Sequence, residues 1–392
     1  MVSHPATTPY SHPYLPGFPR RVRKVGAPVG VIILLGTVVG LLIIGMTALN
    51  PVGAAIGFVM SSVAIAVVVL AYLWLDRWEP EPLRLLIFAF LWGASVAVVV
   101  SVVLGAIFEA VLDPGGDGNS AVSTWLGAPL VEEAAKGAFL LLMMTGRRRN
   151  ELNSLTDCLV YAGIVAAGFT WLEDILYISA GESLGDSLAT AAMRLVMAPF
   201  AHSLFTTMFG IGVYYALHRR GAGAKFGCIL LGYAAAVFMH ALWNGSSLLS
   251  WQFYFAVYLL WMVPIFALAI ALGVTSRRRE QQIVASKLPG MLAAGLVTPN
   301  EATWLGSIGT RKSAVTEASR LGGRPAGKAV KEFAAQVVEL AFVRDRIDRG
   351  FGDPRVFALQ NEEAYWVGAA RAGAPVLHTM AGYRAMGGRP RR

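Results

Sequence analysis

Cysteine is nearly absent from this chain: Cys158 and Cys228 are its only thiols in 392 residues, too few for a disulfide framework or a thiolate metal site. Charge is scarce as well, at 15% of residues against 56% hydrophobic, and mean hydropathy is +0.57. That balance belongs to a polytopic membrane protein. The sequence holds no HExxH, which excludes a zincin-type helix. It also shows no internal repeat and no inverted pair of Gly- or Pro-broken helices of the transporter kind.

What is present is a series of eight apolar runs, each long enough to cross a bilayer. They are Ala27 to Ala48, Val52 to Leu75, Leu85 to Leu112, Trp125 to Met144, Leu155 to Ala180, Ala191 to Leu217, Phe226 to Leu249 and Gln252 to Val274. Lys and Arg collect on the cytoplasmic side of membranes. With the N-terminus inside, the inner segments carry Arg20, Arg21, Arg23 and Lys24, then Arg77 and Arg84, Arg147 to Arg149, and Arg219, Arg220 and Lys225, whereas the outer ones carry only Arg194. The acidic connections Asp113 to Asn119 and Glu182 to Asp186 fall outside, and Arg277 to Arg279 return the chain to the inner side. The first run is longer than a signal-peptide core and reads as an uncleaved helix. The fold expected is all-α, a polytopic helical bundle of about eight spans with both termini cytoplasmic.

Three regions follow: a disordered cytoplasmic tail over residues 1–24, a transmembrane domain over 25–276, and a small basic, helical cytoplasmic domain over 277–392. From Arg277 onward 19 basic residues face 10 acidic ones, which accounts for the whole net charge of +9. Charges of both signs are interspersed there, so the expected partner is an anionic lipid surface rather than nucleic acid. Thr298-Pro299-Asn300-Glu301 is a capping-box pattern with Pro at the first helical position. Val330, Phe333, Ala334, Val337, Val338 and Ala341 then form one helical stripe.

Against this apolar background, ionisable groups inside the runs stand out. A charge near the middle of a spanning helix costs about 2.5–3.5 kcal/mol on insertion scales, so such groups normally face a polar cavity and carry function. The fourth run holds Glu132, Glu133 and Lys136, the fifth Glu173 beside Asp174, the sixth His202, and the seventh His240 and Asn244. Lys136 is i+4 from Glu132 and i+3 from Glu133, so it can pair with either on one face, and His240 and Asn244 are likewise i, i+4. At 1.5 Å per residue, Glu132 and Glu173 lie about 10 Å, His240 about 14 Å and His202 about 16 Å from the outer ends of their helices. One layer of four helices thus collects the acids and imidazoles. Glu109, Asp174 and His218, closer to run ends, read as interfacial.

Acids and imidazoles converging in a low-dielectric cavity suit a divalent ion that activates water, with a further carboxylate as general base. Glu173, His202 and His240 are the expected ligands, zinc the expected ion, and either Glu132 or Glu133 the base, the other pairing with Lys136. Asn244 would orient His240, donate to an oxyanion or bond to a neighbouring helix. Other readings of the same residues are an internally neutral ion-pair cluster that fixes packing, a transporter or channel using the acids and imidazoles as a relay, and a non-catalytic scaffold. Gly93-Ala94-Ser95-Val96 superficially fits a rhomboid-type serine motif but lacks the following His motif.

These residues resemble a family. Glu132-Glu133-Ala134-Ala135-Lys136 fits EExxK, Phe169-Thr170-Trp171-Leu172-Glu173 fits FxxxE, and His202 and His240-Ala241-Leu242-Trp243-Asn244 fit the later histidine motifs of the PrsW family of intramembrane proteases. Asp76-Arg77-Trp78-Glu79-Pro80-Glu81-Pro82 looks like the charged, Pro-rich connection of that family, and the resemblance covers roughly Leu70 to Asn244. The distantly related CAAX prenyl proteases have EExxxR and FxxxH; Lys136 and Glu173 depart from both and favour PrsW. The resemblance implies a metal-dependent peptidase of a bacterial plasma membrane that cuts membrane-linked proteins, with anti-sigma factors as the substrate class associated with the namesake.

Overall fold

The computed structural model describes residues 29–112 and 120–385; the N-terminal tail and the Asp113 to Asn119 connection lie outside them. All regular structure in the described residues is helical. They divide into two units, one of Lys24–Asp76 and Pro80–Ser276, the other of Arg277–Arg392 with Arg77–Glu79.

In the first unit, seven helices are apolar and long enough to cross a membrane: α1 Val29–Leu49, α2 Pro51–Leu75, α3 Leu83–Leu112, α5 Leu155–Ser179, the stretch Leu184–Leu217, α8 Ala222–Leu249 and α9 Trp251–Ala293, whose last turns pass into the second unit. An eighth, α4 Ala128–Met143 with the π-helical turn Ser123–Gly127 ahead of it, carries Glu132, Glu133 and Lys136. Those charges are why composition alone does not class it as a span. Lipid-facing helices such as α1 expose Ile33, Leu34, Leu41 and Ile44, as apolar surface in a bilayer does. The protein is therefore multi-pass.

Helix α5 is the axis of this unit, with Cys158 through Thr170 buried without interruption. Its N-terminus is closed by a capping box between Ser154 and Asp157. Close approach needs glycine: a Cβ on Gly93 would run into the Val165 carbonyl, and one on Gly168 into that of Phe90, so α3 and α5 meet backbone to backbone. Gly93 and Ser95 lie in a π-helical stretch, Trp92–Ala97, where the Ser95 hydroxyl donates to Leu91 O at 2.5 Å. The Asp76 to Pro82 connection folds on itself. Asp76 Oδ2 accepts from Glu81 N at 2.8 Å, and Tyr161 donates to Glu81 Oε2 at 2.6 Å. Burial, then repulsion from Asp157, Asp76 and Glu151, raises Glu81 well above the usual carboxylate range.

The sixth span differs from expectation. Its helix starts at Leu184, earlier than Ala191, because Ser183 and Asp186 form a capping box within the segment read as an outer connection. It comprises α6 Leu184–Ala191, the π-helical stretch Ala192–Met197, a break, and α7 Ala201–Leu217. At the break Ala198 leaves helical geometry (φ −127°, ψ 35°), and Pro199 follows with no N–H to donate. Arg194, read as a basic residue of an outer segment, lies inside this stretch.

The second unit is helical around its own core. Helix α10 Pro299–Leu305 begins with the capping box Thr298–Glu301, and α11 Ile308–Arg346 bends at Gly322 and Gly323, the latter at φ +75°. Then come α12 Pro354–Ala372 and the short α13 Val376–Thr379. Trp304, Phe333 and Phe342 fill the centre, and all six residues of the Val330 to Ala341 stripe are buried in it. Trp78 belongs to this core, and the Arg311 guanidinium lies 4.3 Å from its ring centroid.

Candidate active site

Four segments deliver the ionisable groups to one place: α4 brings Glu132, Glu133 and Lys136, α5 brings Glu173 and Asp174, Leu184–Leu217 brings Arg194 and His202, and α8 brings His240. Glu133 and Lys136 are fully buried, and Glu132, His202 and His240 are less than a tenth exposed. The i, i+3 and i, i+4 pairings on α4 both form, with Lys136 Nζ 2.6 Å from Glu133 Oε1 and 3.6 Å from Glu132 Oε2. The ammonium also meets His202 Nδ1 at 3.1 Å and lies 4.3 Å from the Phe169 ring centroid.

The two glutamates are used differently. Glu133 is saturated: besides Lys136, its Oε2 accepts from Thr206 at 2.8 Å and its Oε1 lies 3.1 Å from His240 Nδ1. A proton on Nδ1 donates to that carboxylate and leaves Nε2 as the lone-pair nitrogen. This Nε2 faces Glu132 Oε2 at 3.8 Å, and Glu132 Oε2 is buried with no hydrogen-bond partner. A buried carboxylate oxygen without a hydrogen bond is costly, and here the Lys136 ammonium at 3.6 Å offsets its charge. The histidine rings meet edge to face at 4.9 Å, and Phe205 stacks on His240 at 4.8 Å.

Glu132, His202 and His240 each offer a donor atom, and the three atoms lie within 4.8 Å of one another. Tetrahedral ligand bonds of about 2.0–2.2 Å set two donors about 3.4 Å apart, so a pair near the 4.8 Å limit closes by about an ångström, a side-chain adjustment, to share one ion. The Glu132 oxygen that makes no hydrogen bond and the lone pair of His240 fit such an ion; His202, whose Nε2 meets Glu173, would join them through Nδ1 by exchanging its contact with Lys136.

This grouping is not the ligand set expected from sequence, which had Glu173 with the two histidines. Glu173 does reach His202, its Oε2 lying 2.8 Å from Nε2, but the same oxygen accepts from Arg194 Nη2 at 2.6 Å. Arg194 Nε also donates to Asp174 Oδ1 at 2.6 Å. Asp174 is thus buried in an ion pair rather than interfacial. Asn244 stands apart from the cluster, its side-chain amide donating to Thr124 O at 3.1 Å on the turn that leads into α4. Sequence reasoning missed Arg194 and Thr206. A lone arginine in an otherwise apolar run carried the first signal, and nothing distinguished the second.

Residues 81–269 match the family described as PrsW family intramembrane metalloprotease. The chain is 25% identical over 208 residues to Protease PrsW of Geobacillus kaustophilus, covering 52% of this chain and 85% of that one. It is 24% identical over 210 residues to Protease PrsW of Bacillus subtilis, covering 52% of this chain and 90% of that one. No solved structure matches. The matched stretch contains every member of the buried cluster, and the likeness to PrsW proteases indicates a membrane-embedded peptidase.

Proposed function

We propose that the protein is a metal-dependent endopeptidase that cuts membrane-linked protein substrates within the bilayer, with zinc held by Glu132, His202 and His240. The observation that carries this is a trio of mutually close donors in which the Glu132 oxygen facing His240 Nε2 makes no hydrogen bond. Charge balance supports it. Four carboxylates, Glu132, Glu133, Glu173 and Asp174, are met by two side-chain cations, Lys136 and Arg194. With the carboxylates ionised and the imidazoles neutral, two negative charges remain inside apolar helices, and one divalent ion neutralises them.

A bound divalent ion supplies Lewis acidity and a more acidic water. The residues do the rest. Glu133 is spent on orientation, holding Lys136 and fixing the His240 ring. Glu132 would help hold the ion and, as the carboxylate nearest His240 Nε2, would take the proton of an attacking water. Lys136, 3.6 Å from Glu132 and 2.6 Å from Glu133, offsets the charge of the two resting carboxylates. Of the two glutamates, the engagement of Glu133 with Lys136, Thr206 and His240 favours Glu132 as the base.

The distribution of Lys and Arg supports both termini on the cytoplasmic face of a bacterial plasma membrane, with the basic 277–392 region as a cytoplasmic domain. Anti-sigma-factor-like proteins are the first substrate class to test. The direct experiment reconstitutes the full chain in liposomes with single-span model substrates and follows cleavage and ion flux on the same vesicles. Chelator-sensitive cleavage that returns with zinc and is lost in Glu132→Gln is expected. Ion flux without cleavage would favour the transporter reading instead.

A further inference from the structure

Arg194 takes no part in the chemistry above, yet it is the most heavily engaged group at the rim of the site. Its Nε and Nη2 reach Asp174 and Glu173 at 2.6 Å each, and its guanidinium lies 4.4 Å from the Tyr177 ring centroid. It projects from the π-helical stretch Ala192–Met197, which ends at the Ala198 to Phe200 break. π-Helical turns recur at functional sites, where they re-aim side chains. The break separates the helix carrying Arg194 from the one carrying His202, so the two residues approach Glu173 independently.

Both converge on one atom: Glu173 Oε2 takes Arg194 Nη2 at 2.6 Å and His202 Nε2 at 2.8 Å. A carboxylate this close to a Glu/His trio is a competent fourth ligand for zinc, and the number of protein ligands decides what such a site does. Four protein ligands close a zinc site and make it structural, whereas three leave a position for reaction.

We infer that Arg194 is a positioning residue that keeps Glu173 out of the ligand set, holding it as the hydrogen-bond acceptor of His202 so that the ion has three protein ligands and an open position. The inference rests on the ion-binding reading above. Arg194 engages Glu173 and Asp174 together, so the carboxylate pair is neutralised only in part and Glu173 keeps the charge that orients His202. Loss of the guanidinium frees Glu173 to close the site.

The test uses the full-length protein in detergent, stripped of metal and titrated with zinc against a competing chelator. Zinc X-ray absorption then reports the ligands. Outer-shell partners move metal affinity by about 10- to 100-fold. Arg194→Gln is expected to bind zinc about tenfold or more tightly, with one additional protein oxygen at the metal and cleavage lost. General loosening of the fold would weaken zinc binding, the opposite sign. In Arg194→Gln/Glu173→Gln the tightening should vanish. A folded Arg194→Gln whose affinity and coordination match wild type overturns the inference and leaves the ion reading intact; a wild type that takes up no zinc overturns both. Should Arg194→Gln fail to fold, Glu173→Gln decides. Zinc retained at one per chain with affinity reduced about 10- to 100-fold supports an outer-shell Glu173, and complete loss of zinc marks it as a ligand and overturns the inference.

Discussion

Replacing Lys136 by methionine separates the structural duty of the buried cluster from its chemistry. The ammonium is fully buried, 2.6 Å from Glu133, 3.6 Å from Glu132 and 3.1 Å from His202 Nδ1. Without it Glu133 keeps Thr206 and His240 but loses its only cationic contact among the described residues. Removing one partner of a buried ion pair costs about 3–5 kcal/mol, a large share of a domain stability of about 5–15 kcal/mol. Neutralising both partners in Lys136→Met/Glu133→Gln removes the uncompensated charge, so most of that loss should return, to within about 1–2 kcal/mol of wild type. The assay is SDS-induced unfolding of the purified protein followed by tryptophan fluorescence. The double variant should stay folded and inactive, because the His240 ring loses its charged orienting partner. A single variant within about 1 kcal/mol of wild type, or a double variant no more stable than the single, would refute the account of Lys136 as the neutralising centre.

Three further outcomes are expected. Asn244→Ala removes one neutral hydrogen bond to Thr124 O, costing about 0.5–1.5 kcal/mol in the same unfolding assay and leaving zinc content unchanged. Gly93→Ala forces a methyl group into the Val165 carbonyl, an overpacking that costs about 1–3 kcal/mol or more and should lower the unfolding midpoint sharply. Trp304→Ala empties the centre of the C-terminal unit, where this ring is 1% exposed, at about 3–5 kcal/mol. Hydrogen exchange should report that loosening within residues 277–385 while zinc binding persists.

The spans were legible because eight long apolar runs leave little ambiguity, and the cluster because charge inside such runs is expensive enough to be conspicuous. Spacing on α4 was sufficient to foresee that Lys136 can reach either glutamate; that it lies within ion-pair distance of both is a finding of the structure. What spacing could not foresee was the competition for Glu173. That carboxylate and His202 were both recognised, but Arg194, near the outer end of the sixth run, was counted only as a mark of orientation. The early helix start at Ser183 and Asp186 sets Arg194 a full two turns inside a helix, from which it reaches Glu173. The break at Ala198 to Phe200 was hidden for a related reason: one proline within an apolar run bends or interrupts a helix according to its neighbours. Asn244 fits its motif by position, yet its rotamer answers to a backbone carbonyl on the turn before α4, a tertiary contact without local signature. In the C-terminal unit the Thr298 capping box and the Val330 to Ala341 stripe were readable as local patterns, whereas the inclusion of Trp78, some two hundred residues upstream, was not.

The central claim is that Glu132, His202 and His240 hold a divalent ion between them. Elemental analysis of full-length protein purified gently without chelator tests it most directly, with His202→Ala and His240→Ala alongside. About one zinc per chain in wild type and loss in both folded variants is the predicted result. Zinc retained undiminished in both histidine variants, or missing from folded wild type even after incubation with the metal, would contradict it.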